Sequence, residues 1–153
     1  MNQLKKCVIF SQRCSHLNTD LFFSLEEESE RLGEYAVRKG LEIEKIFSIT
    51  WAMKNRHEIL DDMLEYASYN KINIIVIGTN HSLTKIDMII IDTWLNGQPS
   101  REIHIAKTGQ VYTQKTDPED KIDWDSHVYM AKLYFRHHCE NLKKFTLLEK
   151  NSN

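Results

Sequence analysis

Cys7-Val-Ile-Phe-Ser-Gln-Arg-Cys-Ser15 is the stretch on which the reading of this chain turns. A short apolar run, rich in β-branched and aromatic residues, passes directly into a polar segment. Such a run is the pattern of a buried strand with a polar C-terminal end, here over residues 4–11. Working outward, Ser24 and Glu27 have the spacing of a capping box, in which hydroxyl and carboxylate each satisfy a free amide at a helix start. The helix is expected to run to about Lys39 with Leu25, Leu32, Tyr35 and Ala36 inward, and Gly40 is a natural stop. Leu41–Ile49 alternates as a second strand. Asn55–Tyr69 carries Ile59, Leu60, Met63, Leu64 and Ala67 at helical spacing. Ile72–Ile77 is nearly all β-branched, which suits a central parallel strand covered on both faces. Ile86–Leu95 reads as a helix ending at Asn96-Gly97, and Ile103–Lys107 and Gln110–Gln114 as two short strands around Thr108-Gly109. Strand and helix alternate, so the expected fold is α/β, a largely parallel sheet flanked by helices with right-handed crossovers.

The last element differs. Thr116 or Asp117 is placed to cap a helix with Pro118 at its first position. That helix continues to about Lys150 without another Gly or Pro. Trp124, Val128, Ala131, Phe135, His138, Leu142 and Phe145 step alternately by four and three, a heptad seam with one polar interruption at His138. The expected organisation is a single domain, with a core over 1–115 and a long C-terminal helix over 116–150. A domain needs only part of such a helix for its own core, and the remainder is expected to form an interface; the alternative is that the seam only covers the sheet.

The chain has 153 residues, 41% of them hydrophobic and 27% charged, a globular composition of one-domain size. No apolar run approaches the ~20 residues of a membrane span, and the polar start leads into too short an apolar segment for a signal peptide. Cys7, Cys14 and Cys139 lack any C-x-x-C spacing, so a reduced, cytoplasmic protein with neither a metal nor a cofactor is expected. The formal charge of −2 lacks the basic excess of a protein that grips DNA alone, so any DNA contact is expected to be weak and local. His104 in a strand reads as a satisfied structural histidine, and the adjacent His137 and His138 cannot share one helix face. Asp61-Asp62, Asp87 and Asp92 fall on helices and read as solvated faces.

Read together, Cys7–Ser15, Ser24-Leu-Glu-Glu-Glu28, Asn80-His-Ser-Leu-Thr84 and Asp117-Pro-Glu-Asp-Lys121 resemble, in order and spacing, the catalytic domain of serine site-specific recombinases, the resolvase/invertase family. Pro118–Lys121, Met130-Ala-Lys-Leu-Tyr134 and Glu140-Asn141 resemble the long helix of its large serine recombinase branch. The resemblance spans about residues 5–145 and implies a resolvase-like sheet and dimers formed around the final helix. It aligns Phe10, Gln12 and Cys14 with the family's Tyr-x-Arg-x-Ser, so that Cys14 stands at the nucleophile position. Glu28 stands where the family has glutamine, Arg56 matches an active-site arginine, and His81 and Thr84 replace the two arginines of Asp-Arg-Leu-x-Arg. A register slipped by one residue instead pairs Ser11, Arg13 and Ser15 with the motif. It recovers an arginine and a serine but turns Phe10 to the other face.

Attack on a DNA phosphodiester builds negative charge on the phosphoryl oxygens, and prepositioned arginines stabilise it. Of the matched arginines only Arg56 is kept, and each lost contact can cost on the order of 10²–10³ in rate. The expected function is therefore a stand-alone, catalytically degenerate recombinase-like domain of a phage or other mobile element, acting by binding to modulate recombination or regulation. The alternative is a working recombinase or nickase using Cys14 or Ser15. The expected partner is a second copy of the chain or an intact recombinase, through Trp124, Val128, Ala131, Phe135, Leu142 and Phe145.

Overall fold

The structure is a computed structural model that describes residues 3–13, 25–50 and 56–151. Five strands, β1 (Lys5–Arg13), β2 (Leu41–Thr50), β3 (Ile74–Ile77), β4 (Glu102–Ile105) and β5 (Val111–Thr113), form one sheet in the order β2-β1-β3-β4-β5. The first four are parallel, and β5 returns antiparallel beside β4. Among the described residues the helices are α1 (Leu25–Arg38), α2 (Arg56–Tyr69), α3 (Lys85–Gly97) and α4 (Ile122–Asn151). Short 3-10 turns at Asn80–Ser82 and Pro118–Lys121 lead into α3 and α4.

Side chains that alternate along the central strands divide the core into two layers. Cys7, Ile9, Ile74 and Val76 face α1, where Leu32, Tyr35 and Ala36 cover them. Val8, Phe10, Ile75 and Ile77 face the opposite way, towards Leu60 and Met63 of α2, Met88 and Ile91 of α3, and Trp124 of α4. All of β3 is buried, as expected of a central parallel strand with helices on both faces. Gly40 closes α1 with φ of +70°, a conformation that disfavours any side chain.

β2 departs from simple alternation. Its register against β1 shifts between Cys7, opposite Ile43, and Val8, opposite Lys45, so that Glu44 is an extra residue. The bulge reverses the facing of everything after it. Leu41 and Ile43 pack on the α1 side, whereas Phe47 and Ile49 pack on the α2 side. Beyond the bulge, the Lys45 ammonium lies 4.9 Å from the Phe47 ring and 5.0 Å from that of Tyr66.

The front of α4 corrects the expected seam. Trp124, Val128 and Ala131 are buried in the chain's own core against α3 and the sheet, so they are not available to a partner. The physical reason is a single buried tie: the Trp124 indole donates to Asp92 Oδ1 at 3.0 Å and its ring lies 5.5 Å from that of Tyr112. Phe135 is half-buried and His138 exposed, while Leu142 and Phe145 lie in α4 with side chains outside the described residues. Among the described side chains of α4, the exposed large apolar ones are Ile122, Tyr129, Met130, Leu133 and Tyr134. At 100° per residue, Ile122, Tyr129 and Leu133 lie almost opposite the Trp124–Val128–Ala131 face.

Candidate functional site

Parallel α/β sheets build sites at the C-terminal ends of their strands, and of the residues singled out from the sequence Gln12, His81 and Thr84 are described there. Gln12, near the end of β1, points to the α2–α3 side, and its amide donates to Asp87 Oδ2 at 3.4 Å. Ser11, one residue earlier, faces α1 and accepts from the Ser29 hydroxyl at 3.0 Å. Asp87 is fully buried and closes a capping box at the start of α3. Its amide donates to Thr84 Oγ1 at 3.2 Å, and the Thr84 amide donates to Asp87 Oδ2 at 3.3 Å. His57 Nδ1 lies 3.9 Å from Asp87 Oδ1. Positions 12 and 84 are thus joined through one carboxylate.

Asp87 and Asp92 overturn the expectation of solvated helix faces. They are 0% and 7% exposed, because one caps its own helix and receives Gln12 while the other receives the Trp124 indole. Asp61 and Asp62 are exposed, as expected.

The turn after β3 forms a second cluster. Thr79 Oγ1 accepts from the His81 amide, starting the Asn80–Ser82 turn and directing Asn80 inward and His81 outward. Asn80 is 3% exposed; its Nδ2 donates to Asp123 Oδ2 at 3.1 Å and lies 2.8 Å from His127 Nδ1. His81 Nε2 is 3.2 Å from the same Asp123 oxygen, and the His81 and His127 rings meet edge-on with centroids 4.2 Å apart. Burial lowers the pKa of His127; neighbouring His81 lowers it further, against the opposing effect of Asp123. One ligand atom from each of His81, Asp123 and His127 lies within 4.8 Å of the others, so these residues have the geometry to hold a metal ion. The sequence reading passed over this group. Its visible signal was Asp123-x-x-x-His127, four apart and therefore on one helix face.

On the α1 side, Glu28 lies over Gly78, where a Cβ would collide with the Glu28 carboxylate. Burial raises the Glu28 pKa, and Arg31 opposes the shift. Cys14 and Ser15 lie outside the described residues, as does Ser24 of the expected capping box. Arg13 ends β1 and Arg56 begins α2, with their side chains outside the described residues. His104 has the structural role expected of it: its Nδ1 is 3.1 Å from the Tyr35 hydroxyl, and Nε2 is 3.5 Å from Glu102.

Solved structures share this fold. The chain is similar to the N-terminal catalytic domain of TP901-1 integrase, with a TM-score of 0.62 at 9% identity over 88% of this chain and 99% of that one. It is also similar to a resolvase family site-specific recombinase from Streptococcus pneumoniae, with a TM-score of 0.57 at 10% identity over 97% of this chain and 99% of that one. The chain has the fold of a serine recombinase catalytic domain. No protein-family model and no curated protein matches it. On this recombinase fold, the positions that resemblance gives to arginines carry Gln12, His81 and Thr84, and each contacts an acidic residue of the chain itself. No described helix is long and apolar enough to cross a membrane.

Proposed function

We propose that this recombinase-like domain acts by binding and does not cleave DNA. The supporting observation is the chemistry at the strand ends. A phosphoryl-transfer site needs fixed cations directed at the phosphate. Gln12 and Thr84 are neutral and joined to the buried Asp87, and His81 is turned onto Asp123. Carboxylates at both places repel a phosphodiester. The reading is tested by incubating the protein with supercoiled plasmid and trapping covalent protein–DNA species. The expected result is no nicking and no adduct. Cleavage that disappears in Cys14→Ala or Ser15→Ala would overturn it and establish a working nickase.

The binding partner is a second copy of the chain or an intact recombinase, which the domain would modulate. The outward face of α4 supports this. Ile122, Tyr129 and Met130 line an open groove with Pro118, Asp125 and Ser126, and Leu133 continues the apolar stripe. Burying each large apolar side chain contributes about 1.5–3 kcal/mol, so a face with several of them favours a partner. Light scattering across a concentration series tests self-association, and co-purification with an intact recombinase tests the mixed pair.

A further inference from the structure

We propose that His81, Asp123 and His127 form a binding site for a divalent d-block cation of the zinc type, fastening the turn after β3 to the root of α4. The inference is independent of whether the domain cleaves DNA. Three features carry it. The three side chains already converge, with one ligand atom from each within 4.8 Å of the others. They come from two rigid supports. Asp123 and His127 are successive turns of one helix face, and His81 sits on a 3-10 turn whose Thr79 hydroxyl accepts from its amide. The buried Asn80 also backs the cluster: its amide Nδ2 donates to Asp123 Oδ2 at 3.1 Å and lies 2.8 Å from His127 Nδ1. A polar partner of this kind fixes the direction of a ligating carboxylate.

The donor set selects the ion. Two imidazoles and one carboxylate suit Zn²⁺, Co²⁺ or Ni²⁺, whereas Mg²⁺ and Ca²⁺ favour oxygen donors throughout. Three protein ligands leave a coordination position open to water. His81 and Asp123 are 58% and 51% exposed, so an ion can enter from solvent without opening the core. Binding draws together Asn80–Ser82 and the first turns of α4, two segments that otherwise meet through a few polar contacts.

The test is a titration of the full chain, stripped with a chelator, with Zn²⁺ by calorimetry and with Co²⁺ by visible absorption. One equivalent is expected, with Co²⁺ bands typical of low coordination and a rise in melting temperature on Zn²⁺ addition. His81→Ala and Asp123→Asn should each weaken binding at least about tenfold, with unchanged circular dichroism because both side chains are exposed. His81→Gln serves as a second variant should His81→Ala lose its fold. His137→Ala/His138→Ala, farther along α4, should bind as the wild type does. Absence of saturable binding, or equal affinity in the His81 and Asp123 variants, would overturn the site. Affinity lost only in the His137/His138 variant would assign the ion to adventitious surface histidines and overturn it equally.

Discussion

Trp124→Phe tests how α4 is rooted in the domain. The indole is fully buried, stacks obliquely on Tyr112 and donates to Asp92 Oδ1 at 3.0 Å. Phenylalanine keeps most of the ring packing but removes the donor from a carboxylate that is 7% exposed. A hydrogen bond to a charged group contributes about 1.5–3 kcal/mol, and the small void left by the shorter ring costs about 1 kcal/mol more. The expected loss is about 2.5–4 kcal/mol, or roughly 5–15 °C in melting temperature for a chain of this size. Urea unfolding followed by circular dichroism measures it. Much of the loss comes from the stranded carboxylate, so adding Asp92→Leu should recover part of it, with a coupling of at least about 1 kcal/mol in the double-mutant cycle. Strict additivity, or a loss under about 1 kcal/mol for Trp124→Phe alone, would refute the Asp92–Trp124 tie as the anchor of α4.

Gly78→Ala must push aside the Glu28 carboxylate, the far end of a flexible side chain, so it should cost less than about 1 kcal/mol, and Glu28→Ala should remove that cost; a loss of several kcal/mol that persists in the Glu28→Ala background would refute this reading. Burial lowers the folded pKa of His104 below its ordinary 6.5, with Lys39 and Lys5 acting the same way and Glu102 opposing. The unfolded chain then takes up the proton first, so stability is level above the unfolded value and falls as pH drops below it. Tyr35→Phe/His104→Leu, which removes both members of the buried pair, should flatten the decline between about pH 5 and 7, and parallel curves would refute the assignment. Met130→Asp and Leu133→Asp should each leave unfolding within about 0.5 kcal/mol of wild type while abolishing self-association by sedimentation velocity. A dimer that survives both would exclude the outward face of α4.

The order of strands and helices was legible because each carries its own period: the β-branched run at Ile74–Ile77, the apolar stripe of α1, the Pro118 start before α4. The bulge in β2 was not. Leu41, Ile43, Phe47 and Ile49 all occupy odd positions, so a one-residue insertion at Glu44 leaves the alternation looking intact while the later pair turns to the other layer. Trp124, Val128 and Ala131, the front of the α4 seam, were assigned to an interface for a related reason. Spacing of four and three describes a stripe that faces a neighbour, and it is the same whether the neighbour is α3 or another chain. What decided the matter was the pairing of Trp124 with Asp92, 32 residues apart. Asp87 and Asp92 were misread because an acidic residue on a helix is usually solvated, and their partners lie on other elements.

At the strand ends, positions 12 and 81 are each held by a carboxylate of the chain itself. Gln12 lies 3.4 Å from Asp87, and a guanidinium placed there would meet that buried carboxylate before any phosphate. Arginine binds carboxylate and phosphate with the same two-pronged geometry, so the internal acid competes directly with the ligand. Asp123 stands in the same relation to position 81, where it already holds the imidazole at 3.2 Å. An arginine placed at position 12 or 81 should therefore pair with Asp87 or Asp123. The carboxylates have become part of how the domain holds itself together: Asp87 caps α3 and receives β1, and Asp123 joins the turn after β3 to α4. Through these two carboxylates the ends of four elements, β1, α3, the turn after β3 and α4, are tied to one another.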